Sequence, residues 1–245
     1  MLILVTHKIA KEQLGKGEAV PAKLDTIPTD VLAIGEIFAG RETADAGVQA
    51  IAKRIRPVKG GYSVGHKDIT AGTIATCVYD ILQPGPFDGG VNPADRIATL
   101  TRFVPINFAP GSSNLVDAAI AEALFDDLDR EIHWSGPARG WRQKAGVTVG
   151  MIVKKTGRTT NFTTGRITAI NATINVNYGG GRVGRFVDQI VTTNMSAGGD
   201  SGSLVTTLDN VAVGLLYAGS SVAMIANQIE NVRALLRVEV AEAIL

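Results

Sequence analysis

The sequence predicts a mainly β protein, a barrel or sandwich of short strands. Three features carry that expectation. Glycine is abundant, with 28 residues among 245, while aromatic residues make up only 5%. That balance suits many short strands joined by tight turns. The second half alternates short apolar segments with glycine-rich or Asp-Asn turns at regular spacing. The chain then runs into one amphipathic stretch, with Ile229, Val232, Leu235 and Leu236 on a single helical face.

Taken in order, residues 1–55 read as a small α/β module. Strands are expected over 2–5 and 31–37, a weak helix over 10–20 ending near Pro21, and a short helix over 44–55. The run Arg54-Ile55-Arg56-Pro57-Val58-Lys59-Gly60-Gly61 reads as a linker. From residue 62 to 140 the pattern is β. Strands are expected over 69–79, 97–108 and 115–120, although the alanines after Asp117 also suit a helix. Residues 83–90, Gln-Pro-Gly-Pro-Phe-Asp-Gly-Gly, form a loop with strong turn chemistry, and the charged residues 126–130 read as a solvated loop. A further unit over 141–245 holds strands at 147–154, 165–169, 173–178, 186–191, 203–207, 211–218 and 222–225. A helix over 227–236 closes it.

Composition excludes several classes. With 45% apolar and 19% charged residues the chain is globular rather than disordered. A formal charge of +1 gives no broad electrostatic footprint for nucleic acid or an anionic membrane. Cys77 is the only cysteine, so neither an intrachain disulfide nor a cysteine-built zinc site is available. The opening apolar run Leu2-Ile3-Leu4-Val5 is too short for a signal-peptide core, and no apolar run approaches the ~20 residues of a membrane helix. The expectation is a cytoplasmic protein without metal or organic cofactor.

The chemistry concentrates in residues 197–203, Ala-Gly-Gly-Asp-Ser-Gly-Ser. Glycines let successive backbone N–H groups converge, so the amides of Gly199 and Ser201 suit an oxyanion hole beside the Ser201 hydroxyl. A polar hairpin turn is the plainer reading of those residues alone.

A wider pattern bears on that choice. The runs Lys154-Lys155-Thr156-Gly157-Arg158-Thr159-Thr160 and Asn171-Ala172-Thr173, then the Gly-Asp-Ser-Gly turn and Gly214-Leu215-Leu216, resemble the second barrel of bacterial chymotrypsin-like serine peptidases such as the streptogrisins. Upstream, Gly65-His66-Lys67-Asp68 and the loop over 83–90 resemble trypsin-like proteins related to the plant narrow-leaf protein. The resemblance implies a chymotrypsin-like double β-barrel with a small N-terminal α/β module and a C-terminal helix. It implies Ser201 as nucleophile, Asp117 as the triad aspartate, and Gly199 and Ser201 as oxyanion donors. It makes Asp200 the buried carboxylate that shapes the oxyanion loop, with Arg158 as its partner. Tyr217, Ala218 and Gly219 fall on the edge that pairs with a substrate peptide, while Met195 and Ser196 fall at the base of the pocket for the residue before the scissile bond. Neither is acidic, so a preference for Lys or Arg is not expected.

One part of the pattern is missing. A serine needs a base to take its proton, and relatives carry a histidine motif, with a further strand, between the positions of Cys77 and Ile81. About 25 to 30 residues are absent there by ordinary strand and loop lengths, so the first barrel is expected to be incomplete. The three histidines are His7, His66 and His133. Only His66 lies near the family's spacing from Asp117, and it precedes the strand that the catalytic histidine should follow. The expectation is a serine peptidase homologue that binds peptide or protein and is catalytically impaired. The alternative is an active endopeptidase using Ser201, Asp117 and His66. The oligomeric state is not readable.

Overall fold

The computed structural model of the chain describes residues 1–39, 51–66 and 80–240, with the backbone alone for His66. Among the described residues of the expected α/β module, strands form and no α-helix does. β1 (Leu2–Val5) is followed by a small hairpin of β2 (Lys23–Leu24) and β3 (Ile27–Pro28), then by β4 (Asp30–Ala33), which pairs in parallel with β1. The expected helix over 10–20 is only a 3-10 turn at Lys11–Gln13. Gly17 there takes a φ of 91°, and the segment is almost wholly exposed, so no apolar face drives a helix. The strand expected over 31–37 stops at Ala33. Ile34 and Ile37 then turn into a core cluster with Val176, Phe186, Val191 and Ile225. β5 (Phe38–Ala39) follows at once. Of the helix expected over 44–55, residues 44–50 lie outside the described residues and 51–55 form turns.

The next stretch also departs from the expected linker. β6 (Val58–Gly60) is a strand, with Val58 buried. β7 (Gly65–His66), β8 (Asp80–Leu82), β9 (Arg96–Phe103) and β10 (Ala119–Ala123) make an antiparallel sheet in the order β10-β9-β8-β7. β11 (Leu128–Ile132) pairs in parallel with β6 and antiparallel with β12 (Gly136–Pro137). Residues 126–130 are therefore half strand rather than a solvated loop. Charges pair across the ladder: Lys59 Nζ lies 2.5 Å from Glu131 Oε2 and 3.6 Å from Asp129 Oδ2. Among the described residues the two sheets share no ladder. The strand expected over 69–79, which includes Cys77, lies outside the described residues.

The second half closes on itself. β13 (Ile152–Gly157) pairs with both β14 (Asn161–Asn177) and β16 (Leu204–Thr207). With β15 (Val183–Thr193), β17 (Ala212–Gly219) and β18 (Ala223–Gln228), the ring runs β13-β16-β17-β18-β15-β14 and back to β13. Closure pairs strands that would otherwise be edges. Inside, Val153, Ile167, Ile190, Val205, Val213 and Met224 pack together with essentially no exposure. Where two strands were expected over 165–178, β14 is one strand of 17 residues. It changes register near Asn171, whose φ is 52°, so a bulge does the bending that a turn was expected to do. α1 (Ile229–Leu236) seals one side, burying Ile229, Val232 and Leu236 against Val116, Ala118 and Ala212. The architecture is thus mainly β with one C-terminal helix, and among the described residues no helix is long and apolar enough to cross a membrane.

The N-terminal strands are tied to this barrel through β5. Ala39 pairs with Ala218 and Phe38 with Gly219 in antiparallel register, and Asn177 pairs with Phe38 on the other side. Ile34 and Ile37, 6% and 3% exposed, anchor the segment in the core. Ile37→Ala is expected to cost about 2–5 kcal/mol of unfolding free energy, the range for truncating a buried isoleucine, read from urea denaturation.

Candidate active site

Residues 197–203 lie in the connection between β15 and β16. Its shape is dictated from beneath by Asp200. This carboxylate, 1% exposed, accepts from the amides of Thr159 (2.7 Å), Thr160 (3.1 Å) and Ala197 (3.0 Å) and from the Thr160 hydroxyl (2.6 Å). Its ion-pair partner is Lys155, whose Nζ lies 2.9 Å from Oδ2, with both side chains fully buried. Lys155 also donates to Thr160 Oγ1 and, at 3.4 Å, to the Asn161 carbonyl. Burial pushes the Lys155 ammonium below the usual lysine range, and Asp200 pulls it back up.

This corrects the partner expected for Asp200. Lys155 lies within β13 and points under the turn, whereas Arg158 lies beyond Gly157, where the chain has already turned. Arg158 reaches away to Asp88, with Nε 2.8 Å from Oδ2 and Nη2 2.5 Å from Oδ1. Gly157 is required at the approach: a Cβ there would stand 2.5 Å from Asp200 Oδ1. Desolvation pushes the Asp88 carboxyl up, but its bonds to Arg158 and Ser63 together hold it below its usual range.

With Asp200 pulled inward, Ser201 is left exposed at the tip, and its hydroxyl donates to the Tyr217 carbonyl at 3.4 Å. Gly199 has a φ of 94°, a left-handed conformation that suits glycine. The amides of Gly199 and Ser201 donate to no other described residue.

Asp117 stands across from this turn. Asn227 clamps its backbone, accepting from the Asp117 amide at 3.1 Å and donating to its carbonyl at 2.9 Å. Its carboxylate accepts from the Tyr178 hydroxyl at 2.7 Å. Desolvation raises the Asp117 pKa above the ordinary aspartate value, and the Tyr178 bond works against that rise. Tyr217, buried beside them, has its hydroxyl without a partner among the described residues. Burial, then the Asp117 charge, raise its pKa well above the ordinary phenol. Asp117 and Ser201 open on one cavity of about 320 Å³, also lined by Gly65 and Tyr217. The fold therefore places the predicted nucleophile and aspartate on the lining of one cavity, with Gly65 of β7 also on its wall.

On its other side Ser201 opens on a second cavity of about 530 Å³, which includes Ser196, Gly198, Ala218 and Gly219. Met195 does not line it; at 5% exposure it packs into the barrel core with Val153 and Ile167. The apolar side chain is worth more inside the barrel than at a pocket floor. The expected peptide edge has an occupant: Ala218 and Gly219 are paired with Phe38 and Ala39 of the chain itself. Sequence reasoning missed the N-terminal contributors to this cavity, His7, Glu36 and Phe38. A segment that far away in sequence offers no local signal. His133 is spent on packing, with its ring 5.1 Å from Tyr62 and 5.0 Å from Trp134. Among the described residues no cluster of three or more His, Cys, Asp or Glu could hold a metal.

The chain is 42% identical over 91 residues to glutamyl endopeptidase 2 of Streptomyces griseus, covering 36% of this chain and 43% of that protein. It is 43% identical over 77 residues to serine protease 1 of Streptomyces fradiae, covering 31% and 20%. These matches span less than half the length of either relative. Among solved structures, a chymotrypsin of Cellulomonas bogoriensis aligns with a TM-score of 0.46 at 17% identity, over 76% of this chain and 99% of that one. No family model matches the chain. Over part of its length, this chain is similar in sequence to serine proteases of Streptomyces.

Lys155→Met leaves the Asp200 carboxylate buried without its counter-ion. A loss of about 3–5 kcal/mol in chemical denaturation is expected, with much of it recovered in the double variant Lys155→Met/Asp200→Asn.

Proposed function

We propose that this chain is a trypsin-like serine peptidase homologue whose acyl-transfer site is built on Ser201, with Asp117 as the triad aspartate and the Gly199 and Ser201 amides as oxyanion donors. The observation that carries this reading is the single cavity lined by both Asp117 and Ser201, beside a turn whose Gly199 and Ser201 amides donate to no other described residue. In the reaction, Ser201 Oγ attacks a peptide carbonyl and the carbonyl oxygen develops negative charge toward the two amides. A base takes the hydroxyl proton and returns it to the leaving amine. We infer catalytic impairment from the sequence, in which no histidine stands between Cys77 and Ile81, with transition-state stabilisation by the amides as the residual activity.

The second reading is an active endopeptidase with His66 as base. It is favoured by the position of Gly65, next to His66, on the wall of the Asp117–Ser201 cavity. His7 suits that role less well, because its cavity includes Ser201 but not Asp117. A fluorophosphonate probe separates the readings. Under impairment, Ser201 labels slowly, His66→Ala labels at the same rate, and Ser201→Ala does not label. Fast labelling that falls by about 10³-fold or more in His66→Ala establishes the second reading. Labelling no greater than that of denatured protein rules out an acyl-transfer site.

The ligand class is an extended peptide pairing along Ala218–Gly219. Such a peptide has to displace Phe38–Ala39. In the double variant Phe38→Pro/Ala39→Pro, which retains the Ile34 and Ile37 anchors, peptide binding or cleavage is expected to rise at least several-fold. Labelling by a small fluorophosphonate that does not use that edge is expected to stay constant.

A further inference from the structure

The turn Gly157-Arg158-Thr159-Thr160 and the loop over 83–90 are both prominent in the sequence, and the triad uses neither. In the structure they meet. Arg158 is held by Asp88 through two hydrogen bonds, and Phe87 of the same loop lies under its guanidinium at 4.7 Å. Arg158 Nη1 in turn donates to Thr159 Oγ1 at 3.2 Å. Thr159 Oγ1 donates to the Gly198 carbonyl at 2.7 Å. Thr159 is itself fixed by its amide bond to Asp200 Oδ1 at 2.7 Å and is 8% exposed.

The last link sets the direction of a donor. The carbonyl of Gly198 and the amide of Gly199 belong to one peptide unit. In a planar trans peptide the C=O and N–H point in opposite directions. A carbonyl pinned against Thr159 therefore aims the Gly199 N–H away from Thr159. Two glycines flank this peptide, so little steric resistance opposes its rotation. Rotation would put a carbonyl oxygen where the oxyanion needs a proton donor. The Arg158 bond also orients the threonine hydroxyl: with its lone pair accepting from the guanidinium, its hydrogen is left for Gly198.

We propose that Thr159 is a positioning residue for the oxyanion hole, locking the Gly198–Gly199 peptide with its amide turned away from Thr159. Asp88 and Arg158 hold it from the loop over 83–90. The proposal rests on the acyl-transfer reading of Ser201 for its catalytic meaning, but its geometric content can be tested separately.

The variants are Thr159→Val, which keeps the shape and removes the hydroxyl, Thr159→Ser, which restores it, and Asp88→Asn. With a fluorophosphonate, the maximal rate of Ser201 labelling is expected to fall about 10- to 100-fold in Thr159→Val, somewhat less than the loss of a whole oxyanion donor. The probe concentration for half-maximal rate should be unchanged. Thr159→Ser returns the rate to within about threefold of the parent, and Asp88→Asn gives an intermediate loss. In parallel, the Gly198 carbonyl carbon and Gly199 amide nitrogen resonances are expected to move in Thr159→Val and return in Thr159→Ser. Labelling of Thr159→Val at the parent rate overturns the proposal. A parent protein that does not label removes the acyl-transfer reading instead, and the two resonances then decide the peptide lock: unmoved in Thr159→Val, they overturn it as well.

Discussion

Beneath the turn that carries Ser201, an ammonium and a carboxylate sit in a place that water does not reach. Taking both charges out of solvent costs several kcal/mol each, and their attraction compensates only when the remaining donors and acceptors are satisfied. Here they are. The Asp200 carboxylate collects Lys155, the Thr160 hydroxyl and three backbone amides, while Lys155 spends its other protons on Thr160 and the Asn161 carbonyl. The pair is thus less a source of net stability than a choice of conformation. With Asp200 turned inward, the neighbouring Ser201 must face outward, and the glycines on either side absorb the backbone geometry that this demands.

The opposite wall of the cleft is built on a different balance. Asp117 is held in place by its main chain through Asn227, and its charge is offset by a phenol rather than by a cation. Desolvation and one hydrogen bond pull its ionisation in opposite directions. A carboxylate poised in that way favours a positively charged neighbour, which is the service that a triad aspartate gives to an imidazolium. In the same region the Tyr217 hydroxyl is buried without a partner among the described residues.

How much of this was legible depended on the range of the forces involved. The Gly-Asp-Ser-Gly turn, the apolar strands of the second half and the closing helix follow local rules, and they stand close to where periodicity and turn chemistry put them. The failures involve partners remote in sequence. Lys155 and Asp200 lie 45 residues apart, and Arg158 and Asp88 lie 70 apart. Which cation faces which carboxylate is decided by a single turn at Gly157. The two residues of β5 are too few to show a period, so their pairing with β17 could not be anticipated. Residues 10–20 misled for the opposite reason: they have some helical propensity, but no buried face to reward it. Met195 misled through family resemblance, since a position near a pocket floor says nothing about which way its side chain packs.

The docking of Phe38–Ala39 onto Ala218–Gly219 has a quantitative consequence. A strand tethered to its own acceptor competes at an effective concentration in the millimolar range, whatever the protein concentration in solution. A free peptide of merely comparable intrinsic affinity would rarely win that contest. The proposed peptide ligand would succeed through contacts beyond the shared edge, in the cavities that flank Ser201. The tether therefore acts as a threshold, shifting discrimination from the backbone, which every peptide has, to the side chains, which differ.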